Sequence, residues 1–131
     1  VEWLEPKLLI ADDDRDFRES LGEVLSRRGF DTQLAADGRE ALDIVKEDRK
    51  IHLLLMDVHM PRLSGLEALQ ELRRLHHSIA PCILMSAQMD EEIVREAKML
   101  QIEELLSKPF SLSALTSTVE SVLQRSYGWK I

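Results

Sequence analysis

The chain has 131 residues, 44% of them apolar, 31% charged and 5% aromatic, with 17 basic against 24 acidic side chains for a net charge of −7. A chain this long buries roughly 65–70% of the surface its unfolded form exposes, enough for one apolar core in one domain. The excess of acid argues against direct nucleic-acid binding, and the single cysteine, Cys82, excludes an internal disulfide or a Cys-based zinc site. No apolar run nears the ~20 residues of a membrane helix, and no charged-then-apolar leader opens the chain, so a reducing cytoplasm is the expected compartment.

Lys7–Ala11 is a short apolar run ending in Asp12–Asp14, which predicts a buried parallel strand delivering its C-terminus to a loop. Phe17, Leu21, Val24 and Leu25 then recur at helical spacing, with Asp14 or Asp16 at the helix start and Gly29 after Arg27–Arg28 as its stop. The cycle repeats with Phe30–Ala35 as a strand, Asp37–Gly38 as a turn, and Ala41, Leu42 and Val45 as one face of a second helix. Ile51–Met56 is the most apolar strand. A turn with Pro61 and Gly65 leads into a helix with Leu66, Leu69, Leu72 and Leu75 inward. Pro81–Met85 makes a fourth strand, and Ile93, Val94, Ala97 and Leu100 mark a fourth helix. Glu103–Ser107 is a short last strand stopped by Pro109. Leu112, Leu115, Val119, Val122 and Leu123 form the inner stripe of the last helix, opposite an outer face of Ser113, Thr116, Ser117, Ser121 and Gln124. Met56, Met85 and Met99 fall at core positions, Cys82 reads as a buried small hydrophobe, and His76–His77 as a solvated helix end.

Strict alternation of short apolar strands with amphipathic helices means right-handed crossovers and a doubly wound parallel α/β sheet covered on both faces. In such a sheet the strand order reverses somewhere, and ligands bind outside the strand C-termini at that reversal. There the chain places Asp12–Asp13–Asp14, then Asp57, then Ser86, then Lys108–Pro109. Two carboxylates 4 Å apart repel by about 4 kcal/mol at an effective dielectric of 20 unless a cation or proton intervenes. Carboxylates without histidine or thiolate suit a hard ion such as Mg2+, and Lys108 with the Ser86 hydroxyl offers a cation and a donor to a neighbouring anion. The set describes a phosphoryl pocket.

Four segments, Leu-Leu-Ile-Ala-Asp-Asp-Asp, Leu-Leu-Leu-Met-Asp-Val-His-Met-Pro-Arg-Leu-Ser-Gly, Ile-Leu-Met-Ser-Ala and Leu-Leu-Ser-Lys-Pro-Phe, stand in order at these strand ends. Together they resemble the receiver domain of bacterial two-component response regulators. The resemblance covers residues 7–125 and leaves 1–6 and 126–131, each with a tryptophan, as terminal extensions or linker remnants. It implies a flavodoxin-like five-stranded sheet in the order 2-1-3-4-5 with five helices. It further implies a signalling domain, not a turnover enzyme, that accepts a phosphoryl group on Asp57 from a phosphohistidine of a sensor histidine kinase or phosphotransfer protein. Asp12, Asp13, Asp57 and the backbone carbonyl of His59 would bind Mg2+, Lys108 and Ser86 would engage the phosphoryl oxygens, and the Lys108–Pro109 bond would be cis. A phosphorylation-dependent homodimer is compatible with the resemblance, although the nearly neutral outer face of the last helix assigns no charge-matched interface.

Leu105 stands where many receivers carry an aromatic switch residue, Gln101 where a glycine is common, and His59 and Gln88 where the family tunes attack of water on the phosphoryl group. Two other readings compete. One is a receiver-like interaction module that is never phosphorylated. The other is a small Mg2+-dependent aspartyl-phosphate phosphatase, disfavoured because such hydrolases carry Asp-x-Asp after the first strand. Asp12–Asp14 could also simply cap a helix, the role expected of Asp14.

Overall fold

The computed structural model describes residues 5–76 and 79–129. Five βα units follow one another: β1 Lys7–Ala11, α1 Arg15–Arg27, β2 Asp31–Ala35, α2 Gly38–Glu47, β3 Leu53–Asp57, α3 Gly65–Leu75, β4 Cys82–Ser86, α4 Glu91–Met99, β5 Glu104–Ser107 and α5 Leu112–Tyr127. Each helix starts on a residue whose short side chain accepts a first-turn amide: Asp14, Asp37, Ser64, Asp90 and Ser111. Ser64 completes a reciprocal capping box with Glu67.

The strands form one parallel sheet in the order β2-β1-β3-β4-β5. The order reverses between β1 and β3, whose registered pairs run from Leu8 with Leu53 to Ala11 with Met56. Alternate residues of the central strands point to opposite faces. Leu9, Leu54, Met56 and Leu84 pack with α2, α3 and α4, whereas Leu8, Ile10, Leu53, Leu55, Ile83 and Met85 pack with α1 and α5. Because both faces are covered, β3 and β4 are buried along their whole length.

Several local expectations are corrected. Asp37–Gly38 is not a free turn but the cap and first residue of α2. Leu75 and Leu112 follow the helical period yet are exposed in the terminal turns of α3 and α5, and Met99, expected in the core, is exposed because it lies on the face of α4 opposite the buried Ile93 and Ala97. Thr116, assigned to the outer face of α5, is buried and returns its hydroxyl to the Leu112 carbonyl at 3.0 Å. Gln101 adopts φ 58 in the turn before β5, a left-handed conformation that strains a residue with a Cβ. α5 continues past Arg125 to Tyr127, and Trp129 packs beside the α1/α5 core. Trp3 and His77 lie outside the described residues. No described helix is long and apolar enough to cross a membrane.

Candidate functional site

The reversal in strand order opens a crevice at the C-terminal ends of β1 and β3, and the chain turns there with its polar residues. β1 ends at Ala11 and hands over to Asp12, which is fully buried and anchored through its own amide to the Ala35 carbonyl at 3.1 Å. Its Oδ1 accepts the Asp14 amide at 2.9 Å, and its carbonyl accepts Arg18 Nη1 at 2.7 Å. Asp13 is exposed on the rim. β3 ends on Asp57, which is buried, with Oδ1 accepting the His59 amide at 3.3 Å.

One ligand atom from each of Asp12, Asp13 and Asp57 lies within 4.8 Å of the others. Lys108, just beyond β5, reaches across to Asp12 Oδ2 at 2.7 Å and to Asp57 Oδ2 at 3.2 Å. Its ammonium also sits 4.4 Å from the centroid of the Phe17 ring, which meets Phe110 edge-on at 5.8 Å. That aromatic face attracts the cation and holds it over the carboxylates. The Lys108–Pro109 peptide bond is cis, and the Lys108 amide donates to the Ser86 carbonyl at 2.8 Å.

Burial pushes the Asp57 carboxyl above the usual aspartate value, and the Asp12 charge pushes it further. The attraction and hydrogen bond of Lys108 oppose this without overcoming it. Burial pulls the Lys108 ammonium down, but its hydrogen bonds and attraction to Asp12 and Asp57 more than offset that, and the net shift is upward. Lys108 therefore stays charged, yet one ammonium leaves the carboxylates under-neutralised. A further cation is what this donor set lacks. Three convergent oxygens with no nitrogen or sulfur ligand fit a hard divalent ion of the Mg2+ type.

Ser86, fully buried at the end of β4, does not touch the carboxylates. Its hydroxyl donates to the Gln88 carbonyl and accepts the Gln88 amide, both at 3.0 Å. His59 and Gln88 are exposed on the loops that flank the crevice. Leu105 lies in β5 and packs, half-buried, against the face covered by α2, α3 and α4. His76 caps α3 at the far end of the sheet, with its ring against Arg49. A half-open cleft of about 260 Å³ lies there too, lined by Val45, Asp48, Arg49, Ile51, His76 and Tyr127, and it contains none of the carboxylate cluster.

Two contributors escaped the sequence reading. Phe17 looked like an ordinary core position of α1, and only the fold brings it beneath Lys108. Arg18 carried no local signal, because its partner is a backbone carbonyl reached from the next helical turn.

The same arrangement of strands is found in known proteins. The family profile of the response regulator receiver domain matches residues 8–120. Response regulator MprA of Mycolicibacterium vanbaalenii is 39% identical over 121 residues, 92% of this chain and 51% of that protein. The transcriptional regulatory protein CpxR of Escherichia coli is 36% identical, over 92% of this chain and 50% of its own length. The chain thus spans about half the length of these curated relatives. Among solved structures, a Francisella response regulator receiver domain superposes with a TM-score of 0.85 at 31% identity, covering 93% of this chain and 99% of that one. A CheX–CheY complex with BeF3 and Mg2+ from Borrelia burgdorferi gives 0.83 at 26% identity, covering 89% and 88%. With sheet order and sequence in agreement, the chain belongs to the response regulator receiver domain family.

Proposed function

We propose that Asp57 is the phosphoacceptor and that the donor is a phosphohistidine on a sensor histidine kinase or histidine phosphotransfer protein. The observation that carries this reading is the Lys108 ammonium bridging two buried carboxylates, Asp12 and Asp57, at the reversal of the sheet. A carboxylate oxygen of Asp57 attacks phosphorus, an O–P bond forms, the P–N bond breaks, and its electron pair returns to the donor imidazole. Burial favours this attack because it strips hydration from the nucleophile. Lys108 pairs with a phosphoryl oxygen and exchanges part of its contact with Asp57 for the incoming charge. Asp12, Asp13, Asp57 and the His59 carbonyl would hold Mg2+, which when bound offsets negative charge on the transferring group. The Mg2+ and BeF3 of the Borrelia complex support that assignment by likeness.

Ser86 supplies the switch. To donate to a phosphoryl oxygen its hydroxyl must give up its bond to the Gln88 carbonyl, worth about 0.5–1.5 kcal/mol. Occupancy of Asp57 is thereby linked to the β4–α4 loop and to the surface of α4, β5 and α5, a population shift between two loop arrangements. Leu105, without a ring to swing, transmits this through packing; His59 and Gln88 set access of water to the phosphoryl group. Likeness to CpxR, a transcriptional regulatory protein, supports a regulatory output; a cytoplasmic setting and phosphorylation-dependent dimerisation are parts of the same proposal.

The test is intact mass after incubation with acetyl phosphate, with and without Mg2+, on the wild type and Asp57→Asn. One added phosphoryl group that requires both Mg2+ and Asp57 is expected. An adduct that persists in Asp57→Asn overturns the assignment. Absence of any adduct from acetyl phosphate and from a phosphohistidine donor alike would favour an interaction module, and sustained phosphate release a phosphatase.

A further inference from the structure

The loop that follows Asp57 carries an anomaly that no part of the phosphoryl chemistry uses. Arg62 lies at φ 68, and the amide after it, on Leu63, donates back to the Pro61 carbonyl at 2.7 Å, closing a tight three-residue turn. An arginine strained in this way persists only where its surroundings over-determine it. Two ties from another element do so. The Gly38 amide donates to the Leu63 carbonyl at 3.1 Å, so close an approach that a Cβ on Gly38 would come within 2.0 Å of that oxygen. Arg62 Nη1 pairs at 3.3 Å with Oδ2 of Asp37, whose side chain is only 10% exposed.

Asp37 divides its two oxygens between two tasks. Oδ1 caps α2 by accepting the Glu40 amide at 2.8 Å, while Oδ2 faces the Arg62 guanidinium. The loop is also closed at its base, since the Gly65 amide donates to the Val58 carbonyl at 3.0 Å. Residues 58–64 thus form a short arch springing from Asp57, fixed below by Gly65 and fixed at its crown to the start of α2. His59, whose amide holds Asp57 Oδ1, lies within that arch.

We propose that the Arg62–Asp37 ion pair is a tether that positions the His59 backbone beside Asp57 for the incoming cation and phosphoryl group. Arg62 is then a positioning residue, remote from the chemistry and acting through the loop. A glycine at this position would relax the turn but forgo the tether, so the cationic side chain has a reason to occupy a strained backbone. The inference rests on Asp57 being the phosphoacceptor and adds a control on how well its loop is held.

Two measurements test it on the unphosphorylated protein: Mg2+ affinity by calorimetric titration of the metal alone, and amide exchange over residues 58–64. Asp37→Asn keeps a good helix cap while removing the charge, so it isolates the pair from the capping role. Arg62→Gln and Asp37→Asn are each expected to weaken Mg2+ binding by about two- to fivefold, the range for a partly exposed pair, and to speed exchange in the loop. The double variant is expected to lose no more than either single one, and Arg62→Lys to recover most of the affinity. Wild-type Mg2+ affinity and loop exchange in Arg62→Gln, or additive losses in the double variant, overturn the tether. Wild-type protein that takes up no phosphoryl group overturns the underlying reading instead, so the two failures are distinguishable.

Discussion

The two ends of the sheet are built from similar residues and solve opposite problems. At the N-terminal ends of β1 and β3, polar groups are matched: Lys7 Nζ meets Asp48 at 2.6 Å, and the Lys7 amide donates to His52 Nδ1 at 2.8 Å. Tyr127 Oη donates to the His52 carbonyl at 2.7 Å, and the Tyr127 and Trp129 rings stack at 4.4 Å beside His52. At the C-terminal ends, three carboxylates converge, one lysine pairs with two of them, Asp12 and Asp57, and the Asp57 carboxyl is pushed upward. One end is satisfied and serves stability. The other is left short of positive charge, which costs stability and is what the proposed phosphoacceptor role of Asp57 would require.

This contrast can be broken in order of expected effect. Asp57→Asn is the sharpest change, abolishing phosphoryl uptake by intact mass while raising the melting temperature in Mg2+-free buffer, because it removes a charge that burial and Asp12 disfavour by more than Lys108 compensates. A residue so disposed toward function should be replaceable with a gain in stability, and a lower melting temperature in the variant would contradict the contrast.

Gly65→Ala follows. A Cβ there would lie 2.3 Å from the Asp57 carbonyl oxygen, a backbone atom that cannot step aside, so α3 or the end of β3 must shift. A loss of about 2 kcal/mol in urea unfolding is expected, as for other overpacked sites, together with reduced phosphorylation. Tyr127→Phe probes the opposite end by removing only the hydroxyl that donates to His52. It should cost about 1 kcal/mol and leave the phosphorylation rate unchanged. Loss of phosphorylation there would mean that the two ends are coupled.

The smallest effect separates the ends by pH. Burial, aided by the Lys7 charge and opposed by Asp48, lowers the His52 imidazole below its usual value, so the unfolded chain takes up the proton first. Stability from this end is therefore lost as pH falls below the ordinary histidine value of 6.5 toward the depressed folded one. Asp57 has the reverse sign: its raised folded value means that stability is regained as pH falls from that value toward the ordinary 3.8. Melting temperature against pH should show the acid loss missing from His52→Gln and the acid gain missing from Asp57→Asn. Parallel profiles for both variants and wild type would erase the distinction.

Much of this was legible before folding is considered. The succession of elements follows from runs such as Leu53–Met56 and from helical spacing such as Leu115, Val119, Val122, and every observed strand lies within about two residues of its sequence reading. Asp12, Asp57, Ser86 and Lys108 were placed at strand ends by the same pattern. Terminal turns were less legible: Leu75 and Leu112 keep the apolar period yet are exposed. Periodicity reports which face a residue occupies, not whether another element reaches that far.

By itself, then, the sequence determined the alternation of strands and helices, the family, and which residue types gather at the carboxyl edge, because these depend on local period and on strand direction. Only the tertiary structure decided that Lys108 lies closer to Asp12 than to Asp57, that Ser86 is held by Gln88, that Phe17 backs the lysine, and that Arg62 reaches Asp37. Those are contacts between segments distant in the chain or between side chains with several rotamers. Their geometry is set by the packing of whole elements, which no local pattern encodes.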